Sequence, residues 1–446
     1  MEQERPIVVL GAGPAGVAAA LGLQRLGHAV TVVGVPRPFD AIEGVSDRVA
    51  AGLQSVGIRV ALDAIQAPSP RQAEWADKQT AVNRERLVDR TRFDALLWAE
   101  LPSHGIERLA ARVTRWQRAS GGHELVLRPA DGGPAMTVRA GFVVEARGRQ
   151  APHPPEGVLR GPETVALLCH SQGVAGGPPG SAVVSLEDGW AWMARLPSGA
   201  TSWQWTIDPD ATRFPPRADL THWVLERLAP IARARGFGMH AGAAWRTHAR
   251  TSTAWMAPEV CGDDWIRVGD AAMAADPLSG NGMFQSLSSA LQAPMVVHTL
   301  LRHPGDAAVA RRFHQERVAG LFDRFARIGR DFYAQESRWP ESPFWVKRRS
   351  WPDTLPAHAP NGLARPQVAW RPVIDRDRIR LAEVVVTEAQ PLGVWHVDGM
   401  LAADAWRAVQ GASDAPAAIA AICHCSLSRA QAVLDWMRVQ GWLPLP

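Results

Sequence analysis

The chain has 446 residues, of which 46% are hydrophobic and 21% are charged. That length accommodates two or three domains, and the composition is ordinary for a globular protein with a sizeable core. The net charge of +4 is carried almost entirely by arginine, and no basic run follows a periodic face, so we expect no nucleic-acid partner. No apolar stretch crosses a membrane without charges, and the first residues lack a secretory signal pattern. We expect a cytoplasmic protein that contacts no membrane.

The four cysteines give no disulfide framework. Cys423-His424-Cys425 resembles a fragment of a metal site, but no second pair of ligands lies near it in the sequence. We therefore predict no metal.

The N-terminal segment has the pattern of a strand, a glycine-rich turn and a helix. The apolar run Ile7–Leu10 leads directly into Gly-Ala-Gly-Pro-Ala-Gly. In such a turn the first glycine permits a tight bend, the second lets the backbone approach a pyrophosphate, and the third lets the helix pack on the strand. The helix N-terminus then presents its N–H groups to the phosphates. The residues predicted to bind a dinucleotide here are Gly11, Gly13, Pro14, Ala15 and Gly16.

The second apolar run, over residues 29–33, is followed by Gly34. Many dinucleotide-binding folds carry an acidic residue here, which holds the adenosine ribose. Without that carboxylate we expect loose retention, so that the protein purifies partly free of its cofactor.

Three further residues of this region are candidates for cofactor binding. Glu43 lies in a turn-like stretch and either reaches the cofactor or caps the following helix at the surface. Arg90 opens another predicted helix and either serves a phosphate or flavin edge or is solvated. Val113 lies in a strand predicted over residues 111–116.

The pattern then changes to short strands joined by tight turns. We predict an antiparallel substrate sheet over about residues 165–260, inserted into the dinucleotide-binding fold. Along residues 201–207, Trp203, Trp205 and Ile207 alternate onto one face. Trp203 and Trp205 are candidates for a wall of the substrate site, with core packing as the alternative.

A second ligand-facing turn follows the apolar run that begins at Trp265. Gly-Asp ends that run, and a Pro/Gly-rich turn leads into another helix. An aspartate here accepts hydrogen bonds from polyol hydroxyls, and the helix N-terminus offers positive potential. A large, folded-back dinucleotide requires two such turns. The predicted contacts are Gly269, Asp270, Pro277, Gly280, Asn281, Gly282 and Met283.

The rest of the chain divides into three parts. Residues 1–336 form the predicted cofactor domain with its inserted sheet, and they end in a long amphipathic helix. Residues 337–375 are rich in Pro and Trp and are predicted to be a linker. Residues 376–446 contain two predicted strands and three predicted helices, which indicates a small winged-helix-like domain.

Together these motifs resemble the FAD-dependent monooxygenases of the p-hydroxybenzoate hydroxylase and tryptophan halogenase superfamily. The resemblance rests on the first glycine turn, Val88-Asp89-Arg90, Ala146-x-Gly148 and the second turn. It implies an α/β fold with a Rossmann-type FAD-binding domain, molecular oxygen as co-substrate, Asp270 at the ribityl chain and the 277–282 turn against the isoalloxazine.

Two departures from the superfamily patterns matter. Hydroxylases linked to both FAD and NAD(P)H carry an Asp where this chain has Arg147, so the electron donor is either NAD(P)H or a separate flavin reductase. The Trp203-x-Trp205 pattern is similar to a halogenase signature, but Asp208 replaces its proline. Halogenases also use a lysine in the segment of Lys78, which makes that residue a catalytic candidate.

The overall layout is most similar to the flavoprotein monooxygenases that mature quinohemoprotein amine dehydrogenase. That resemblance implies hydroxylation of a tryptophan in a partner polypeptide during tryptophylquinone formation. Three alternatives remain open: a flavin-dependent tryptophan halogenase, a flavin reductase of the geranylgeranyl reductase type, and a DNA-binding flavin sensor. The oligomeric state is not predicted.

Overall fold

The computed structural model describes residues 6–444 except 36, 38, 77, 153–155, 174–176, 240–242, 281 and 358–364. The strands of this part of the chain are β1 Ile7–Leu10, β2 Val30–Gly34, β3 Ile42–Val45, β4 Ser69–Trp75, β5 Lys78–Asp89, β6 Glu107–Ala119, β7 Gly122–Pro129, β8 Met136–Ala140, β9 Phe142–Glu145, β10 Leu159–Arg160, β11 Val165–Ser171, β12 Gly180–Leu186, β13 Gly189–Arg195, β14 Thr201–Ile207, β15 Arg246–Thr251, β16 Trp255–Met256, β17 Trp265–Arg267, β18 Met273–Ala274, β19 Gln367–Asp375, β20 Arg378–Val386, β21 His396–Val397 and β22 Met400–Leu401.

The α-helices of the described residues are α1 Pro14–Arg25, α2 Asp47–Ser55, α3 Arg90–Glu100, α4 Leu220–Ala234, α5 Gly282–Arg302, α6 Ala307–Gln335, α7 Pro343–Arg349, α8 Ala402–Val409, α9 Ala415–Ile422 and α10 Leu427–Val439. No single helix among them is long and apolar enough to span a membrane. The pair α9 and α10 reaches that length and apolarity only when taken together, across a bend of 114°.

The first sheet is the Rossmann-type sheet that the sequence predicts. Its strand order is β17-β9-β1-β2-β6-β7-β8, and the pairs from β17 to β6 are parallel. Every residue of β1 is buried, as expected for a strand covered on both faces. Helices α1 and α5 contribute to the same core cluster as β1. Strands β1 and β17 both run parallel to β9, so the two glycine turns that follow them lie at the same edge of the sheet.

The second sheet is larger than the predicted insertion. Its order is β15-β11-β14-β13-β12-β4-β5-β3, so three of its strands come from before residue 90. The join is the parallel pairing of β4 with β12, in which Ser181 lies opposite Arg71. Ile42–Val45, which the sequence suggests is turn-like, is the edge strand β3 of this sheet. The prediction missed this arrangement because pairing between distant segments leaves no local periodicity.

The C-terminal region keeps its three predicted helices as α8, α9 and α10. Of the strands predicted over residues 379–387 and 392–397, the first corresponds to β20, and only residues 396–397 of the second form a strand. The segment 337–375, predicted to be a linker, contains α7 and β19. Strand β19 pairs with β20 along its whole length. The likeness to a winged helix and the domain boundaries stay predictions.

Candidate functional site

The first glycine turn is shaped by close backbone contacts. Gly11 has φ of +114°, and a Cβ built there would collide with the backbone of Ala146. A Cβ at Gly16 would collide with the carbonyl of Gly11. At Gly13, by contrast, no described atom lies within 4 Å of the Cβ position. Gly13 is the N-cap residue of α1. Because it has no side chain to cap the first N–H groups of that helix, these groups face the open space.

Gly34 packs against this turn. A Cβ on Gly34 would lie 2.8 Å from the Ala12 methyl and 2.9 Å from the Ala12 nitrogen. Any side chain at this position therefore presses on the glycine turn. The lack of space beside Ala12 explains why glycine, and not an acidic residue, stands at position 34.

The second turn is attached directly to the first. Gly269 has φ of +61°, and a Cβ built on it would come within 2.8 Å of the Ala15 methyl. Its N–H donates to the Ser289 hydroxyl of α5 at 2.8 Å. These contacts place Asp270 beside the N-terminus of α1.

The Asp270 carboxylate is held on two sides. It accepts a hydrogen bond from the Ser286 hydroxyl of α5, and the Arg149 guanidinium lies 3.8 Å away. Burial lowers the pKa of Arg149, whereas Asp270 and Asp276 oppose this shift. The Asp270 side chain keeps 37% exposure, so its oxygens remain available to hydroxyl groups of a ligand.

The turn before α5 starts at Asp276, whose Oδ1 accepts from the Leu278 N–H at 2.9 Å. Residues Pro277–Ser279 then form a single 3-10 turn, which ends at Gly280 with φ of +63°. No described atom lies within 4 Å of a Cβ built on Gly280 or Gly282. Met283 is partly buried against the core cluster that holds α1. Asn281 lies outside the described residues.

The open space at three glycines provides a test of the cofactor prediction. Gly13 borders the first turn, and Gly280 and Gly282 border the second, each with room for a ligand where a side chain would stand. The two turns touch through Ala15 and Gly269. In FAD the central pyrophosphate is joined directly to the ribityl polyol chain. A ligand with these two neighbouring groups fits one turn that offers helix N–H groups and a second that offers Asp270, so the residues present fit FAD.

An aromatic cluster lies against the second turn. Its members are Trp75, Trp190, Trp192, Tyr333, Trp339, Phe344 and Trp345, and Leu278 packs on it. The Tyr333 hydroxyl donates to Asp276 Oδ1 at 2.9 Å and lies 3.3 Å from the Trp190 indole nitrogen, which donates to it. Burial raises the pKa of Asp276 and, with the neighbouring Asp276, that of Tyr333.

Sequence analysis did not select Asp276 or Tyr333. The available signals were weak. Asp276 directly precedes the predicted contact Pro277, and Tyr333 is the only tyrosine in the chain. Neither signal shows that these two side chains, which are 57 residues apart in the sequence, form a hydrogen bond.

Glu43 and Arg90 form an ion pair at 2.6 Å. Arg90 is 8% exposed and also binds Asp94, while Arg37 lies 3.7 Å from Glu43. Burial opposes the charge on Glu43, but Arg90 and Arg37 outweigh it and lower its pKa. Arg90 is therefore neutralised by two carboxylates and not simply solvated. Val113 is partly buried in β6, three residues beyond the pairing of Ala110 with Gly34.

Trp203 and Trp205 lie on the sheet face that packs against α4. Trp203 is 0% exposed, and its indole nitrogen donates to the Phe237 carbonyl at 3.1 Å. The Trp205 ring packs in a tilted contact on Trp223 of α4, with ring centroids 4.8 Å apart. The structure thus favours the core-packing alternative for both residues. The opposite face carries Trp190 and Trp192, which belong to the aromatic cluster.

Lys78 is the first residue of β5 and is exposed. It pairs across the hairpin with Trp75. Its predicted catalytic role stays a prediction.

Arg147 folds back onto the buried strand end of β9. Its backbone N–H and its guanidinium both donate to the Glu145 carboxylate, at 3.0 Å for the Nε bond. Glu145 is 0% exposed, so this cation compensates a buried charge. Arg147 stands where NAD(P)H-linked hydroxylases carry an aspartate, and in this structure it is paired with Glu145.

The whole chain resembles one solved structure closely. The peptidyl tryptophan dihydroxylase QhpG, which is essential for tryptophylquinone cofactor biogenesis, matches with a TM-score of 0.86 and 48% sequence identity. The match covers 99% of this chain and 100% of that chain. This chain belongs to the QhpG family.

More distant structures share the fold of the QhpG family. The flavin-dependent halogenase CmlS matches with a TM-score of 0.72 at 16% identity, over 99% of this chain and 96% of its own. The myxobacterial chondrochloren halogenase CndH matches with a TM-score of 0.62 at 19% identity, over 79% and 86%. No protein-family model and no curated protein matches the chain. The predicted superfamily and its α/β fold are confirmed.

Proposed function

We propose that this protein is an FAD-dependent monooxygenase that hydroxylates a tryptophan side chain of a partner polypeptide during formation of a tryptophylquinone cofactor. The observation that carries the proposal is the full-length match, at 48% identity, to the peptidyl tryptophan dihydroxylase QhpG. The site supports it, because two joined glycine turns leave room for a dinucleotide and an aromatic cluster lies against the second turn.

The cofactor would be held by the two turns. The N–H groups at the start of α1 would bind the pyrophosphate, and Asp270 would accept hydrogen bonds from the polyol chain. The positive end of α5 would favour negative charge on the flavin ring. Bound FAD supplies the redox chemistry with molecular oxygen as co-substrate. The side chains around the cofactor position the substrate and exclude water.

The aromatic cluster gives the site a water-poor wall on the side of the second turn. Trp190 is 4% exposed, and Trp192 beside it is partly exposed. An indole packs favourably against such rings in offset or edge-to-face contact. Indole is already electron-rich, so the protein need only position it and exclude water, and a strong base is not required.

The electron source is either NAD(P)H or a separate flavin reductase, and Arg147 favours the reductase. Its guanidinium is committed to Glu145 at the position where NAD(P)H-linked hydroxylases carry an aspartate. Anaerobic mixing with NADH or NADPH tests this point. We expect slow flavin bleaching with either nucleotide alone and fast bleaching when a flavin reductase is added.

The test of the function is co-expression with polypeptides encoded beside this gene, followed by intact-mass analysis. We expect one partner to gain one or two oxygen atoms at a tryptophan, and to gain none when that tryptophan is replaced by Phe. A chlorine gain would instead indicate halogenation. If no partner is modified while the protein holds FAD, the proposed substrate class is wrong.

The two remaining alternatives predict other outcomes. A reductase of prenyl double bonds would work without oxygen. A DNA-binding flavin sensor would retard DNA in a gel with strong dependence on salt.

A further inference from the structure

A second cluster of ligand-type side chains lies away from the flavin site, where the C-terminal hairpin meets the cofactor domain. His298 is on α5, His303 follows the end of α5, and Asp377 is in the turn between β19 and β20. One ligand atom from each side chain lies within 4.8 Å of the other two. The C-terminal end of α5 and the turn between β19 and β20 therefore converge on a single point.

The geometry points to a binding site for a divalent transition-metal ion, with zinc as the expected occupant, formed by His298, His303 and Asp377. Two imidazoles and one carboxylate suit zinc, with water in the fourth position. In a tetrahedral site with bonds of about 2.0–2.1 Å, ligand atoms lie about 3.4 Å apart. The His303 Nε2 to Asp377 Oδ2 distance is 3.8 Å, which is close to this spacing.

Different features favour metal binding at each of the two histidines. His298 Nδ1 lies 2.9 Å from Nε2 of His28, which is itself only 7% exposed. This bond fixes the ring and leaves Nε2 of His298 as the ligand atom, as a supporting hydrogen bond does in known zinc sites. His303 Nε2 is buried and makes no hydrogen bond to a described residue. A metal ion would satisfy it.

The charges around the cluster are mixed. Arg378 lies near the turn but is paired with Asp306 at 3.6 Å. The nearby arginines weaken attraction for a cation, so we expect a site weaker than a four-cysteine zinc site.

A metal here would fasten the β19–β20 hairpin to the end of α5. That contact already contains the hydrogen bond from the Ile379 N–H to the Thr299 hydroxyl at 2.9 Å, and Ile379 is fully buried. Metal binding would add stability to this interface.

The experiment uses the full-length protein with FAD bound, stripped of metals by a chelator and titrated with zinc against a chromophoric competitor. We expect one zinc per chain and a higher unfolding temperature with zinc. The variants His303→Ala and Asp377→Ala should each weaken binding about 10–100-fold or more. The matched control is His222→Ala, which removes an exposed histidine of α4 and should leave binding unchanged.

Two further measurements keep the result interpretable. Asp377 is 62% exposed in a turn, so Asp377→Ala should fold and retain FAD, which its visible spectrum reports. The double variant Cys423→Ser/Cys425→Ser should bind zinc as the unmodified chain does. The proposal is overturned if zinc does not bind with saturation, if His303→Ala binds equally well, or if only the cysteine variant loses binding.

Discussion

Gly269 lies against Ala15, so close that a Cβ on the glycine would sit 2.8 Å from the alanine methyl. The two residues are separated by more than half the chain. Ala15 lies in the first turn of α1, and Gly269 lies two residues beyond β17 in the segment that leads to α5. In the proposed function FAD would span both turns, so this contact would set the spacing of its pyrophosphate and polyol sites.

Replacing Gly269 by alanine should therefore damage both the fold and cofactor binding. The new methyl must displace Ala15, and the left-handed φ of +61° is strained for alanine. Gly105→Ala is the matched control, since Gly105 has φ of +71° but no described atom within 4 Å of its Cβ. We expect Gly269→Ala to lose about 1–3 kcal/mol more stability in urea unfolding. FAD affinity should fall only in Gly269→Ala, and equal losses in both variants would contradict the steric argument.

Gly34→Glu restores the acidic residue that many dinucleotide-binding folds carry, yet it should weaken FAD binding. Its Cβ would press on Ala12 at 2.8 Å and distort the phosphate-binding turn. We expect an affinity loss of about tenfold, or roughly 1.4 kcal/mol. Fluorescence titration of the FAD-free protein measures it. Tighter binding would show that ribose anchoring dominates.

Complete retention of FAD by the unmodified protein through dialysis would refute the expected loose binding.

The two faces of the second sheet should respond differently to substitution. Trp203→Ala removes a fully buried indole beneath α4 and should cost about 3–5 kcal/mol of stability. Trp192→Phe alters a partly exposed ring of the aromatic cluster and should cost less than about 1.5 kcal/mol. We expect Trp192→Phe to raise KM for the partner polypeptide with little change in unfolding. Unchanged KM would remove Trp192 from the substrate wall.

Local patterns predicted the first glycine turn, where the backbone itself imposes the residue type. Gly11 and Gly16 face neighbouring backbone so closely that a side chain has no room, and such positions are visible in the sequence as a fixed spacing of glycines. The last two helices, predicted over residues 415–422 and 428–440, agree with α9 and α10 within one residue, because apolar residues recur at helical spacing in α10.

Local sequence patterns could not predict contacts between segments that lie far apart in the chain. Alternation showed that Trp203 and Trp205 share a face, but it does not show which face turns toward the cofactor. The pairing of Ser181 with Arg71 adds three early strands to the second sheet, and it depends on segments about 110 residues apart. Strand β19 was missed because Pro372 lies inside it, and proline argues against a strand except in a two-stranded edge arrangement such as β19–β20.

Lys78→Ala should leave activity within about twofold of the unmodified protein if the proposed hydroxylation is correct. Lys78 is exposed at the start of β5, and tryptophan hydroxylation requires no lysine there. Mass analysis of the co-expressed partner gives the yield. Loss of modification with retained FAD would revive a catalytic role for Lys78 and the halogenase alternative. Lys347→Ala, which removes the only other lysine, is the control for general charge loss.

Two buried titratable groups should give the protein a stepwise acid response. His314 is 2% exposed and lies 2.8 Å from the Arg267 carbonyl, and its burial lowers its pKa to about 4. Glu336 is 0% exposed, and burial opposes its charge. However, hydrogen bonds from Arg338, Ser185 and the Ala76 N–H lower the pKa of Glu336 to about 2. Both groups therefore bind protons less readily in the folded state.

The sign of the response follows from those lowered pKa values. A group with a depressed folded pKa stabilises the fold above its unfolded pKa, and that stability is lost as pH falls through the folded pKa. His314 should account for a decline between about pH 6.5 and pH 4, worth on the order of 3 kcal/mol, and Glu336 for a second decline below about pH 4.5. Urea unfolding at stepped pH measures both. His314→Gln, which keeps a donor for the Arg267 carbonyl, should flatten the first decline and spare the second. An unchanged profile in this variant would show that other groups control the first step.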